Sequence, residues 1–489
     1  MKNYRPWEPD RVYLLPQSTR DWLPEDHLAW FILDVVEQLD LRAIDEVLQA
    51  KDPRGMPPYA PKMMTALLVY GYCVGVYSSR KIARATWTDV AFRVLAGDQH
   101  PHFTTVNQFR LDHLDALSGL FLQVLKLCQK AGMVELGHVA IDGTRVQANA
   151  SKHKAMSYDR MTATEAKLKE QVDELLQKAQ ETDQAEDRQY GPGVEPQDLP
   201  DELRRRQTRL AQIAKAKAAL EAEAAAARKL ELEEQAARWR ESAADATSPS
   251  EAATLERRAE KREQSAQALA ADTAVIPGVT DGLPFHTVPH EVDGVPKPKA
   301  QRNFTDPDSR IMAHNGTYVQ AYNVQAMADE SHQVVVAIGV TNAPPDVRHL
   351  VPMTEQVRSN TGGYPRVLTG DAGFWCDDNG DYCEQNGIDA FISTRRRPHD
   401  LGPDDPNPSP ASFAARTAKG EAMEKKVTNV RGREIYRRRK WTIEPVFGQA
   451  KEVRGFRRFS LRGLKKVRGE AALVFTAHNL LKLKVKLQK

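Results

Sequence analysis

The sequence predicts an α/β domain that follows an all-α region and is interrupted by a long helical insertion. Three observations carry this reading. Apolar residues recur at helical spacing through residues 1–132, and a tract rich in Ala, Glu, Gln, Lys and Arg with few aromatics runs over about 161–269. Short apolar or alternating runs, the pattern of strands, appear just before Asp142 and again from about residue 303 onward. At 489 residues the chain is too long for one core, and size alone suggests roughly two to four domains.

Composition excludes several classes. Hydrophobic residues make up 41%, enough for packed parts, and no stretch approaches the roughly 18 apolar residues of a membrane span, so no membrane partner is expected. The first seven residues hold no apolar core of a secretory signal. Cys73, Cys128, Cys376 and Cys383 form no CxxC pair and no zinc spacing, which suits reduced thiols.

In the first region, residues 24–39 carry Leu28, Phe31, Ile32, Val35, Val36 and Leu39 on one side of a helix. Residues 61–77 form a more apolar helix and 79–87 another, and Thr104 or Thr105 caps a helix to about Leu117. Short helices with tight turns are compatible with a helix-turn-helix. Asn107, Gln108 and Arg110 then become the candidates for reading bases, although a plain helical bundle explains the same residues.

The insertion, residues 151–302, divides at Tyr190 to Gly193 and at Pro200 into an antiparallel hairpin of 161–187 and 201–241, followed by a shorter helix over 251–269. Isolated charged helices need a partner, so the insertion is expected to dimerise the protein or grip a polyanion. Beyond it, strands are expected at 319–327 and 333–340, joined near Asp329, then at 366–369 and 390–393, with helices at 346–360 and 377–386. Residues 398–412 read as a proline-rich loop, and the chain becomes helical again from about Thr442. Net charge is +3, but residues 431–489 carry 18 Lys or Arg against 4 Asp or Glu. Basic residues interleaved with Trp441, Phe447, Phe456 and Phe459 mark a folded surface for nucleic acid, or a merely solvated helix face.

Three acids stand out. Asp142 ends an apolar run and precedes Gly143, and Asp371 ends another and precedes Ala372 and Gly373, so each is expected at the C-terminal end of a buried strand. Glu444 precedes Pro445, which a helix tolerates only in its first turn, and Lys451 follows at i+7 on the same face. Such carboxylates suit two Mg²⁺ ions about 4 Å apart, the device that cleaves phosphodiesters. Singly, an Asp before Gly is usually a turn residue. Around these acids, Arg454, Arg457, Arg458 and Arg462 are candidates for backbone phosphates or for internal salt bridges. Trp375 suits core packing better than base stacking, and His138, His314, Asn315 and His349 suit satisfied polar positions. No Ser–His or Cys–His nucleophile and no P-loop is present.

The runs Ile141–Asp142–Gly143–Thr144 and Thr369–Gly370–Asp371–Ala372–Gly373–Phe374, with the Glu444 segment and Arg454–Gly455–Phe456–Arg457–Arg458–Phe459, resemble bacterial insertion-sequence transposases. Tyr322–Asn323–Val324–Gln325 and Asp306–Pro307–Asp308–Ser309–Arg310 narrow the likeness to the eleven-eighty-two group, which carries an RNase H-like DDE domain. The resemblance implies a mixed sheet flanked by helices, built from residues 133–150 and 303–489. It makes Asp142, Asp371 and Glu444 the ligands of two Mg²⁺ or Mn²⁺ ions, and gives the chain double-stranded DNA and a second copy of itself as partners at the bacterial nucleoid, in the cytoplasm. Residues 1–132 would bind the element's ends. Related enzymes carry a Tyr, Arg, Glu, Lys signature. Lys451 matches its Lys, whereas Lys440 stands at its Arg position and Arg437 at its Tyr position, with Tyr436 one residue away. An RNase H-like nuclease that cuts without joining, and a catalytically retired DNA-binding regulator, are the rival readings. Retention of all three acids speaks against the second.

Overall fold

The protein is described from a computed structural model over residues 18–50, 57–190, 201–280, 282–314, 316–395 and 417–488. The break expected at 191–193, the loop at 398–412 and Asn315 lie outside these residues.

Seven helices precede the first strand among the described residues: α1 (Leu28–Gln38), α2 (Arg42–Gln49), α3 (Pro61–Cys73), α4 (Ser79–Thr88), α5 (Val90–Leu95), α6 (Phe103–Asp112) and α7 (Leu114–Lys130). The helix expected to run unbroken to Leu117 is two. His102 caps α6 through its ring nitrogen, and the chain leaves helical geometry at His113, whose ring packs 4.8 Å from that of Phe109. Tertiary packing sets this break, for no Gly or Pro marks it.

The strands are β1 (His138–Gln147), β2 (Ala155–Ser157), β3 (Gln301–Asn303), β4 (Arg310–His314), β5 (Thr317–Asp329), β6 (Val335–Thr341), β7 (Val367–Gly370) and β8 (Asp389–Ile392). The main sheet runs β4-β5-β1-β7-β8, with β6 also paired to β5. β5 lies antiparallel to β1, β4 and β6, whereas β7 is parallel to β1 and β8 to β7. The sheet is therefore mixed, and α11 (Leu350–Thr361) and α12 (Asp377–Gln385) pack against β6 and β8. From Gln320 to Asp329, β5 is buried without interruption, the mark of a strand covered on both faces.

Between β2 and β3 rise α8 (Tyr158–Tyr190), α9 (Asp201–Ala244) and α10 (Pro249–Ala268), with α9 packed against both neighbours. The insertion is tied to the sheet. Glu223 on α9, 3% exposed, accepts from Arg302 of β3 and, at 3.2 Å, from Arg310 of β4.

The C-terminal part is helical earlier than expected: α13 (Ala418–Thr428), α14 (Val430–Arg437), α15 (Arg439–Thr442), α16 (Glu444–Gly448), a π-helical turn at Gln449–Val453, and α17 (Leu464–Leu487). α13 is too charged to show an apolar stripe, and α14, at 8 residues, is too short for periodicity to mark it. α17 packs against α3, α7 and β6, so the N-terminal helices and the sheet share one core. Asn479 on α17 accepts from the Val335 amide at 2.8 Å and donates to its carbonyl at 2.9 Å, acting as a further strand residue on β6. No helix among the described residues is long and apolar enough to cross a membrane. All four cysteines are unpaired, and Cys73, Cys128 and Cys383 are buried.

Candidate active site

Asp142 lies in the middle of β1, not at its end as the sequence suggests. Pairing with β5 carries β1 on to Gln147, while β7 stops at Gly370 on the other side. That difference in length exposes the β1 edge where Asp142 sits. His138 pairs with Val367, Val139 with Leu368 and Ala140 with Thr369. The same register, continued two residues beyond the last pair, sets Asp371 beside Asp142. Gly143 is a strand residue instead of a turn, and a Cβ there would lie 2.3 Å from the Gln325 side chain. Asp371 caps a short turn by accepting from the Gly373 amide at 2.8 Å. Glu444 opens α16, with Pro445 in the first turn.

The three acids meet at Arg439, which sequence reasoning passed over. One guanidinium nitrogen lies 3.1 Å from Asp142 and 3.9 Å from Asp371, and the other lies 3.7 Å from Glu444. Side-chain exposure grades across the site, from 17% at Asp142 to 42% at Asp371 and 39% at Glu444. Asp142 is thus the floor and the other two form the rim. Burial pushes the Asp142 carboxyl up to about 6 against the pull of Arg439, with Asp371 adding repulsion. Burial alone would lower Arg439, but Asp142 and the other acids outweigh it and hold the guanidinium above its ordinary range.

Arg439 and Tyr436 also correct the signature. The Tyr436 phenol is raised by burial and feels both Asp371 and Asp142. Lys440 and Arg437, at the nominal positions, are exposed and form no ion pair with the acids. Tyr436 and Arg439 keep the spacing of three but sit one residue early, because Ile443 breaks the helix between α15 and α16. A search for Tyr and Arg three apart, without fixing their distance to Glu444, finds them.

Lys451, in the π-helical turn, donates to Thr144 Oγ1 and, at 3.0 Å, to the Arg145 carbonyl, so it lies along β1 just past Asp142. Burial lowers its pKa. A polar network unseen in the sequence flanks the acids. Asp346 accepts from Asn323 at 2.8 Å, from Gln325 at 2.7 Å and from Arg145 at 3.3 Å. A Cβ on Gly373 would stand 3.0 Å from Asp371 and 3.4 Å from Asp346, so both carboxylates crowd that glycine. Asp306 and Asp308 have another task, accepting from the Gly463 and Leu464 amides at the start of α17.

The expected DNA contacts divide. Arg457, Arg458 and Arg462 are exposed: Arg457 pairs with Glu452, while Arg458 and Arg462 bond the Asn149 side chain and carbonyl at 3.2 and 2.9 Å. Arg454 is 6% exposed and turned inward beside Tyr77, away from any surface phosphate, because the chain reverses at Gly455 with φ +72°. Arg110 is also buried, donating to the Tyr77 carbonyl at 3.0 Å and to Asn107 at 3.1 Å. Gln108 is exposed but bonds Asp112. Asn107 and Arg110 share a helical face, and that face turns into the core. Trp375 is buried against Gly380. His138 bonds Glu330 and Thr369, His349 bonds Thr341, and His314 ends β4 half-buried.

Three carboxylates are the oxygen donors a hard divalent cation takes, and a desolvated Asp142 needs a cation to stay ionised. As the side chains stand, no three acidic, His or Cys groups among the described residues close on one ion, because the Arg439 guanidinium stands between them. The acids match a hard cation in donor type, with the Arg439 guanidinium standing among them.

Comparison with known families places two models on the chain. One, described as a transposase DDE domain, matches residues 281–480, and the other, a transposase domain (DUF772), matches 17–112. The first takes in Asp371 and Glu444 but not Asp142, from which the insertion separates it. No curated protein and no solved structure matches. With one transposase model over the N-terminal helices and another over two of the three converging acids, the chain belongs to the DDE transposases of insertion sequences.

Proposed function

We propose that this transposase binds the ends of its element, cleaves there to free a 3′-OH, and joins that end to target DNA. The observation that carries the reading is the meeting of Asp142, Asp371 and Glu444 around one guanidinium. The strand order β6-β5-β1-β7-β8, three antiparallel strands and then two parallel to the first, supports an RNase H-like domain, and the motifs above favour the eleven-eighty-two group.

Asp142, Asp371 and Glu444 would hold two Mg²⁺ or Mn²⁺ ions, which supply an activated water or 3′-OH and a stabilised leaving oxygen. Arg439 then carries its charge from the acids to the scissile phosphate, where its fork suits two phosphate oxygens. Lys451 holds a point charge beside Asp142, and Arg458 and Arg462 position the backbone. Both ends of the element must be handled together, so the working form is at least a dimer on double-stranded DNA, at the nucleoid.

The test is nicking of a duplex carrying the element's own end by wild type and Asp371→Asn, with Mg²⁺ and with EDTA. Metal-dependent nicking that disappears in the variant while DNA binding stays supports the proposal. A pre-nicked end that is never joined to a second duplex would reduce the enzyme to a nuclease. A retired regulator is the second reading, favoured by the Arg439 guanidinium that stands among the three acids, and binding without cleavage by wild type would select it.

A further inference from the structure

A groove of about 570 Å³ opens where the insertion leaves the sheet. Its cations are Lys154 on the turn after β1, Arg160 in the first turn of α8, and Arg204, Arg205 and Arg209 at the start of α9, with His153 beside them. Met156, Ile213 and Phe304 form the floor, and no acidic side chain is among the described residues lining it. Lys154, Arg160, Arg205 and Arg209 are exposed and make no ion pair among the described residues. Those four like charges repel one another, so the arrangement favours an anionic ligand. A larger cavity, about 790 Å³ beside His138, sets Glu135, Asp329, Glu330 and Glu434 among Arg366, Arg431 and Arg438, so it lacks an uncompensated positive charge.

The groove is fixed relative to the acids. The β2–β3 pair and a small core of Met161, Leu168, Ile213 and Ala216 hold it, and Glu223 locks α9 to the sheet. It also continues a line of cations along β1. Lys451 sits on Thr144 and Arg145, Arg458 pairs with Gln147, and Arg462 bonds Asn149. In chain order Lys154 of the groove follows Asn149. From Asp142 to Gln147 the strand spans roughly 17 Å, and the groove lies beyond that end of β1 in the chain.

We propose that this groove binds the phosphate backbone of double-stranded DNA, taking the duplex where it runs on past the Gln147 end of β1 from the bond held at Asp142. The proposal rests on the transposase reading. It assigns the root of the insertion a sequence-independent grip, because contacts to backbone phosphates fix position without reading sequence.

The test uses the full chain and the variant Lys154→Ala/Arg160→Ala/Arg205→Ala/Arg209→Ala. The probes are two duplexes: one ending at the cleavage site, and one extending about two helical turns beyond it on either side. The slope of log affinity against log salt should fall by about 3.6 on the long duplex, since each of the four lost phosphate contacts removes roughly 0.9. It should stay unchanged on the short one, with the melting temperature kept. The long-duplex loss should be equal on a scrambled sequence, and Arg160→Lys/Arg205→Lys/Arg209→Lys should retain the slope. An unchanged slope on the long duplex overturns the proposal, as does a loss confined to single-stranded RNA or to anionic lipid vesicles. Wild type that neither binds nor nicks DNA overturns the transposase reading itself. Wild type that nicks normally beside a variant of unchanged slope overturns the groove alone.

Discussion

The Arg439 guanidinium stands 3.1 Å from the Asp142 carboxylate, and within 4 Å of it lie Asp371 and Glu444 as well. A metal that takes those oxygens must first displace this cation. The site therefore carries an internal competitor for its own ligand. Removing it changes metal affinity in a direction opposite to that of losing a ligand.

Arg439→Gln should bind Mn²⁺ about tenfold more tightly than wild type. At a partly buried site an opposite charge near 4 Å is worth about 4 kcal/mol before desolvation is deducted, and a remainder of about 1.4 kcal/mol gives that factor. Titration of the free protein with Mn²⁺, followed by electron paramagnetic resonance, measures it without reference to catalysis. Equal or weaker binding would mean that Arg439 supports the site and does not compete for it.

Gly373→Ala should fold normally yet lose nicking by about a hundredfold, because a displacement near 1 Å at a reacting group costs that much. The new Cβ would stand 3.0 Å from the Asp371 carboxylate and 3.4 Å from Asp346, which is itself held by Asn323, Gln325 and Arg145. Asp371 is the half-exposed partner and is the one that moves. Nicking and DNA affinity measured on the same preparation separate this from a folding defect. Unimpaired nicking would show that the position of Asp371 is not critical.

The acids were legible because each had a local mark: an apolar run before Asp142 and Asp371, and Pro445 after Glu444. What brings them together was not, since β1 pairs with β7 across an intervening insertion and Arg439 reaches the acids through a helix break at Ile443. The long helices of the insertion could be read from composition, whereas α13 shows no apolar stripe and α14 is too short to show one, so both escaped. Burial of Arg110 and Arg454 was invisible for a different reason. A basic residue in a cationic stretch reads as surface, and only the three-dimensional packing of Tyr77 against both shows otherwise.

Arg110→Ala tests that last point. It should destabilise the protein by about 2–4 kcal/mol, as expected for losing a buried, hydrogen-bonded cation. The Tyr77 carbonyl and Asn107 would each lose their donor. Denaturant unfolding measures the loss, and DNA affinity at a temperature where both proteins remain folded should change little. Unaltered stability with a selective loss of end binding would return Arg110 to the base-reading role.

His478 makes stability depend on pH. It is buried on α17, donates from Nε2 to the Gln333 carbonyl at 2.9 Å, and leaves Nδ1 without a partner. Burial, with Arg454 and Lys482 adding like charge, lowers its pKa to about 3. In the unfolded chain a histidine titrates near 6.5, so between these values the unfolded state binds the extra proton. The contribution is whole above about pH 6.5 and is lost as pH falls towards 3, at about 1.4 kcal/mol per unit. His286 behaves alike, lowered to about 3 by burial and by the Arg310 guanidinium that donates to its Nδ1 at 3.2 Å. In His478→Gln the amide can still donate to Gln333 but cannot titrate. Urea unfolding between about pH 6.5 and 4.5 should therefore show a slope shallower by about 1.4 kcal/mol per unit in the variant. Equal slopes would mean that His478 is already protonated in the fold.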